Sequence, residues 1–149
     1  VEDNVYIEPS TEEEIEEDNY DDSSWYVNLT DDELYMFAQL IYCEGGSESY
    51  DCQCGIASVV VNRMTYTNSS LSSVIYAPGQ FSVASYFTSY MPTQSCIDAA
   101  NQIAHYGPTL PVYVTYFRAS YYFSWVEPYC NIDNTYFSYD PTVKSALGL

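Results

Sequence analysis

Apolar residues recur at helical spacing from residue 34 onward, with Leu34, Phe37, Ala38 and Ile41 on one stripe. Ahead of them, Thr30-Asp31-Asp32-Glu33 reads as a capping box, in which Thr30 accepts from a first-turn amide and Glu33 reaches back. The three acids also suit the positive end of a helix dipole. Gly45-Gly46 is the expected stop. A second helix is predicted over about 50–64, with Ser49 as N-cap and Asp51 in its first turn. Cys52, Ile56, Ala57, Val59, Val60 and Val61 cover more than one of its faces, so this is the helix expected at the centre. Asn62-Arg63 is expected to close it, with Arg63 near the last carbonyls.

Thr67-Asn68-Ser69-Ser70 reads as a loop and 71–76 as a short helix. Ala77-Pro78-Gly79-Gln80-Phe81-Ser82 reads as a turn that exposes a polar and an aromatic residue together. Thr93 caps a helix predicted over about 94–106, buried through Cys96, Ala99, Ala100 and Ile103 and ended by Gly107-Pro108. Residues 112–117 alternate as a strand does, and 121–123 and 135–139 read as further short strands. Helices first and a small sheet afterwards predict an α+β fold.

Charge divides the chain. Residues 1–33 hold fourteen of the 21 acids and no Lys or Arg. Residues 34–149 hold seven acids and all three cations, Arg63, Arg118 and Lys144, for a net of −4. Residues 1–28 therefore read as an acidic, disordered tail or linker, and 29–149 as one domain long enough for a core. So few cations make nucleic acid and an anionic membrane surface poor partners. No apolar run is long enough to span a bilayer. Eighteen Tyr and two Trp instead offer flat faces with polar tips, which suit sugar rings as well as β-rich cores. Five cysteines fit an extracytoplasmic protein with one or two disulfides and at least one Cys left over, and a first residue other than Met fits either a removed signal segment or a trimmed chain.

One carboxylate stands out. Glu44 lies three residues after Ile41 and extends the buried stripe of the first helix. Desolvation there, together with unpaired carbonyls at the helix end, holds a proton on the acid, which is what a general acid needs. The alternative is a helix-end glutamate that reaches solvent past the glycines. Other constellations are weaker. Cys52 and Cys54 are two apart on a helix and face different ways, so they chelate poorly. No second pair completes a zinc site. His105 shares a polar face with Asp98, Asn101 and Gln102 and reads as a solvated helix-end residue.

Three blocks in series resemble the cell wall hydrolase family of spore cortex-lytic enzymes. They are Leu40-Ile41-Tyr42-Cys43-Glu44-Gly45-Gly46, then Ile56-Ala57-Ser58-Val59-Val60-Val61-Asn62-Arg63, then Tyr76-Ala77-Pro78-Gly79-Gln80-Phe81-Ser82. Thr115-Tyr116-Phe117 and Ile132-Asp133-Asn134-Thr135-Tyr136-Phe137 are similar to its C-terminal strands. The resemblance spans roughly residues 30–140. It implies a lysozyme-like fold with a peptidoglycan groove between a helical lobe and a small antiparallel sheet. It implies Glu44 as the catalytic residue, and cleavage between N-acetylmuramic acid and N-acetylglucosamine. The chain departs from the family at Gly45-Gly46, where Ala and a basic residue are common. It departs again at Asp133-Asn134-Thr135, where Gly-Asn-His is common, and that bears on fine substrate preference.

The expected mechanism is that of a lytic transglycosylase, with Glu44 serving first as acid and then as base. Gln80 and Ser82 are expected to hydrogen-bond the sugar. Phe81, Tyr116 and Tyr136, with Asn134 beside them, are expected to border the groove. No metal or other cofactor is expected, and the enzyme is expected to act outside the cytoplasm as a monomer. The competing readings are a hydrolytic muramidase with a second carboxylate and an inactive wall-binding module.

Overall fold

A computed structural model describes residues 24–149. The acidic stretch up to residue 23, read above as part of a disordered tail, lies outside the described residues. The first helix, α1 (Asp31–Gly45), begins at the capping box: Glu33 N donates to Thr30 Oγ1 at 3.1 Å, and Thr30 N to Glu33 Oε1 at 2.9 Å. Phe37, Ala38, Leu40 and Ile41 form its buried stripe, joined by Gln39. The Gln39 amide is buried but satisfied. Its Nε2 donates to Thr88 O at 2.9 Å and Tyr90 O at 3.0 Å, which fastens that distant segment onto α1.

The helix stops where predicted, but for a different reason. Gly46 has φ −62° and ψ −25°, an ordinary right-handed conformation, so no left-handed cap is used. Space is what the glycines provide. A Cβ on Gly46 would lie 2.6 Å from Tyr42 O, and one on Gly45 would run into Ile56 Cδ1. The end of α1 is thereby pressed against the second helix.

That helix, α2 (Tyr50–Thr67), starts at Ser49, whose Oγ accepts from Cys52 N at 3.2 Å. Every residue from Cys52 to Asn62 is buried, as a central helix requires. It runs a turn beyond the predicted end and is closed by Asn68 at φ 52°. Asn62 and Arg63 do not close it. They cross to the first strand, β1 (Val114–Ala119). Asn62 Nδ2 donates to Pro111 O at 2.8 Å and Val114 O at 3.0 Å, and Arg63 Nε donates to Thr115 O at 2.7 Å.

The short α3 (Leu71–Ile75) is capped by Ser70 and leads into the predicted turn, where Gly79 takes φ 74°. Two 3-10 turns follow, Ser82–Ser85 and Phe87–Ser89. The next helix, α4 (Gln94–Tyr106), matches the prediction, with Thr93 as its cap.

The sheet is antiparallel, with β3 (Thr135–Tyr139) between β1 and β2 (Glu127–Ile132). The strand expected at 121–123 is absent. Those aromatic side chains stack rather than pair their backbones: the Arg118 guanidinium lies 3.8 Å from the Tyr121 ring centre, and Tyr122 packs edge-on to Tyr136 at 4.9 Å. β2 takes the place instead. It is an edge strand containing Pro128, with a register shift between Pro128 and Cys130, and it lacks the alternation that marks a strand. A last helix, α5 (Pro141–Ala146), is capped by Asp140 and was not foreseen.

Two apolar clusters meet at α2. The larger packs α1, α3 and α4 against one side of it. The smaller joins Cys52, Ile56 and Val59 to Val114 and Phe137 of the sheet. Cys52 and Cys54 fall in different clusters, as their spacing predicted. Among the described residues, no helix is long and apolar enough to cross a membrane. All five cysteines are free thiols, so the expected disulfides are not formed.

Candidate active site

Glu44 is half-buried in the last turn of α1. Two side-by-side anchors hold that turn. Gly45 is buried against Ile56, and Gln53 Nε2 of α2 donates to Gly45 O at 3.3 Å and Glu48 O at 3.1 Å. Gln53 thus takes up a carbonyl that was expected to be unpaired. Burial is the main cause that pushes the Glu44 carboxyl above its usual range, and the positive charge of Arg63 opposes it.

Glu44 lies where two cavities meet. One, of about 330 Å³, is lined by Glu44, Arg63, Gln80, Phe81, Ser82 and Thr135, among others. The other, of about 510 Å³, is bordered by Glu44 together with Tyr42, Cys43, Val83, Tyr86 and Tyr90. A third, of about 280 Å³, shares Arg63 and Gln80 with the first and adds Tyr116. The three form a run with Glu44 in the middle cavity. Gln39 holds one wall in place through Thr88 and Tyr90, and the turn at Gly79 supplies the other.

Five of the seven residues singled out from the sequence border this run. Glu44, Gln80, Phe81 and Ser82 share one cavity, and Tyr116 joins through the neighbouring one. Gln80 and Ser82 are exposed to solvent there. Phe81 is both wall and core: it is buried and faces Phe117, with ring centres 6.2 Å apart. Asn134 and Tyr136 line none of the three cavities. Asn134 sits in the β2–β3 turn, where its N–H donates to Glu48 Oε1 at 3.2 Å, and Tyr136 packs on Tyr122.

The sequence reading missed Arg63. Its guanidinium lies over two rings, 5.2 Å from the Phe81 centre and 5.6 Å from that of Tyr116. Burial lowers its pKa, and electrostatic interaction with Tyr116 and Glu44 pulls it back up. The signal that could have found it is its scarcity, since it is one of three cations in the whole chain and stands on the most apolar helix.

Among the described residues, Glu44 is the only carboxylate lining the three cavities. Glu48, four residues on, turns away to the β2–β3 hairpin. There Glu48, Cys52 and Asp133 bring potential metal-ligand atoms within 4.8 Å of one another. Both carboxylates already accept backbone N–H groups, Asp133 Oδ2 from Ser49 at 2.8 Å. His105 is not solvated as expected: it is half-buried between Trp25 and Tyr106, at centroid distances of 4.6 and 4.1 Å.

The fold has counterparts among solved structures. The catalytic domain of the germination-specific lytic transglycosylase SleB from Bacillus anthracis superposes with a TM-score of 0.65 at 20% identity, covering 74% of this chain and 96% of that one. The catalytic domain of the Bacillus cereus SleB protein does so with 0.63 at 19% identity, covering 73% and 91%. At this identity the likeness establishes the lysozyme-like fold. No curated protein sequence matches the chain. The family profile described as Cell Wall Hydrolase matches residues 47–138, a span that starts just after Glu44 and takes in α2, the Gln80 turn and the sheet. Matched over more than half its length, this chain belongs to the cell wall hydrolase family, whose members cleave peptidoglycan.

Proposed function

We propose that this protein is a lytic transglycosylase that cuts the bond between N-acetylmuramic acid and N-acetylglucosamine, with Glu44 as its single acid/base. The observation that carries this reading is the lone carboxylate: Glu44 has no acidic companion among the described groove residues. A hydrolytic muramidase needs a second carboxylate across the scissile bond, either to bind the sugar covalently or to activate water. A transglycosylase does not, because its nucleophile belongs to the substrate.

The proposed steps are these. Protonated Glu44 donates its proton to the glycosidic oxygen, and the bond from that oxygen to C1 of the muramoyl sugar breaks. The oxygen leaves as a hydroxyl, and positive charge develops at C1. Glu44, now a carboxylate, accepts the proton of the muramoyl 6-hydroxyl as that oxygen closes on C1. The products are a new glycan end and a 1,6-anhydro sugar. No water is consumed, and Glu44 finishes protonated. A raised carboxyl pKa suits the first step, because the acid must hold its proton at working pH. Gln80 and Ser82 are exposed on the groove wall, which supports a role in hydrogen-bonding sugar hydroxyls or the acetamide. Action on the wall puts the site of function outside the cytoplasm, and the germination-specific activity named for the Bacillus anthracis SleB domain favours spore cortex as the target.

The test is a peptidoglycan digest analysed by mass spectrometry, with wild type and Glu44→Gln in parallel. Wild type is expected to release anhydro-ended fragments, lighter by one water than hydrolytic products. Glu44→Gln is expected to lose roughly 100- to 10,000-fold in rate, the usual span for a missing acid/base. Reducing ends in place of anhydro ends would favour the muramidase. Equal release by the two proteins would overturn the role of Glu44, and no release by either would favour a wall-binding module.

A further inference from the structure

Two cations, Arg63 and Arg118, line the cavity that holds Glu44, and the mechanism above uses neither; Arg63 is the buried one. Its Nε is committed to Thr115 O at 2.7 Å, and its plane is held over Phe81 and Tyr116. Its Nη1 is buried and has no hydrogen-bond partner. Leaving a buried donor unmade costs about 1–3 kcal/mol, more for a charged group, so such donors are rare unless something else fills the role. A guanidinium is always charged and always a donor, so losing its proton does not relieve the cost. Glu44 does not relieve it either, since the two interact through charge without a hydrogen bond to Nη1.

The position of Arg63 says what kind of group is missing. The residue lines the cavity that holds Glu44, Gln80 and Ser82, and also the cavity that continues past Tyr116. Nη1 has almost no exposed surface, so substrate reaches it with a small shift of the cavity wall; a donor so placed, backed by two ring faces, matches an sp2 oxygen carried on a flat group. Glycan hydroxyls are poorer matches, because they rotate and have no plane to stack. On the substrate class proposed above, two groups next to the scissile bond offer such an oxygen: the 2-acetamido carbonyl and the carbonyl of the 3-lactyl substituent.

We propose that Arg63 is a substrate-binding and specificity-determining residue whose Nη1 donates to a carbonyl oxygen borne by a sugar flanking the scissile bond. This assignment rests on the glycan-cleaving reading and adds a further contact to those of Glu44, Gln80 and Ser82. The donor is pre-positioned by Thr115 and the rings, so the substrate is oriented at little entropic cost.

The experiment compares kcat/KM of wild type and Arg63→Gln on three substrates: intact peptidoglycan, chemically de-N-acetylated peptidoglycan, and peptidoglycan stripped of its peptides. Stripping turns the lactyl amide into a carboxylate. The ratio of the two enzymes is compared across substrates, because any fraction of unfolded variant cancels from that comparison. On intact substrate the variant is expected to fall roughly 10- to 100-fold, the span of a charged hydrogen bond. If the acetamide is the acceptor, that ratio collapses toward one on de-N-acetylated substrate. If the lactyl carbonyl is the acceptor, the ratio is kept there and widens on stripped substrate, where the pair becomes charge-assisted. A ratio that stays constant over all three substrates, or the absence of any loss, overturns the proposal. Glu44→Gln run alongside separates the layers. If it keeps full activity, the glycan-cleaving role of Glu44 fails whatever Arg63 does.

Discussion

The groove places opposite pressures on one carboxyl group. Burial pushes the Glu44 pKa up, and the Arg63 charge pulls it down. Two consequences follow for pH. On the acid/base role proposed for Glu44, the carboxyl must be protonated, so kcat on peptidoglycan is expected to fall as pH rises through the raised pKa. Replacing Arg63 by Gln removes the downward pull, so that limb moves to higher pH even as the rate drops. A limb that stays put or moves down would show that Arg63 does not act on Glu44 through charge. Stability carries the same sign. A carboxyl whose folded pKa lies above its unfolded one stabilises the fold below the unfolded pKa and loses that contribution as pH rises through the folded one. Thermal melts of Glu44→Gln are therefore expected to lose less on going from acid to neutral pH than those of wild type. The groove positions of Glu44 and Gln80 were legible in the sequence because their cues are local: an apolar stripe with glycines behind it, and a Pro-Gly turn. Arg63 was not, because what fixes its role is the Thr115 carbonyl, far away along the chain.

The helices carry their punctuation in the sequence. Thr30, Ser49, Ser70 and Thr93 each accept an amide of the turn they begin, so every one of these starts could be read from side-chain chemistry. The strands do not. β1 and β2 are held by pairing with β3, and β2 is an edge strand with Pro128 whose residues show no alternation. A strand that exists through its neighbour leaves little trace in its own residues. The glycines show the same limit. Gly55 reads as a weak point inside a helix, yet a Cβ there would lie 2.7 Å from Phe137 Cζ. The missing side chain is what lets the central strand sit against α2. Gly55→Ala is expected to cost about 1–3 kcal/mol, the usual penalty for overpacking, measured as a lower urea midpoint with unchanged slope. A midpoint within error of wild type would mean that Phe137 swings away freely.

At the scale of the whole molecule, α2 is the element whose buried residues enter both apolar clusters among the described residues, with Phe117 of β1 packed against each, and the sheet is fastened to α2 at two ends. Asn62 and Arg63 tie β1 to its C-terminal half. At its start, Ser49 N donates to Asp133 Oδ2 at 2.8 Å, and Asn134 N donates to Glu48 Oε1 at 3.2 Å, pinning the β2–β3 turn. The Ser49 bond lowers the pKa of exposed Asp133, so this tie holds above the ordinary carboxylate range and is lost as pH falls through the depressed value. The free thiols report on each layer. Cys43 and Cys130 are half-buried, whereas Cys52, Cys54 and Cys96 are buried. In the native protein at mildly alkaline pH, two thiols are expected to react with a disulfide reagent and three to stay protected. Burial raises the Cys52 thiol to about 11, which strengthens its protection. Cys52 lies between α2 and the sheet, and Cys54 and Cys96 lie in the helical cluster. Asp133→Ala should therefore let the hairpin lift and speed the labelling of Cys52 several-fold, while Cys54 and Cys96 keep wild-type rates. If all three accelerate together, the sheet has no opening of its own and the two lobes bordering Glu44 unfold as one.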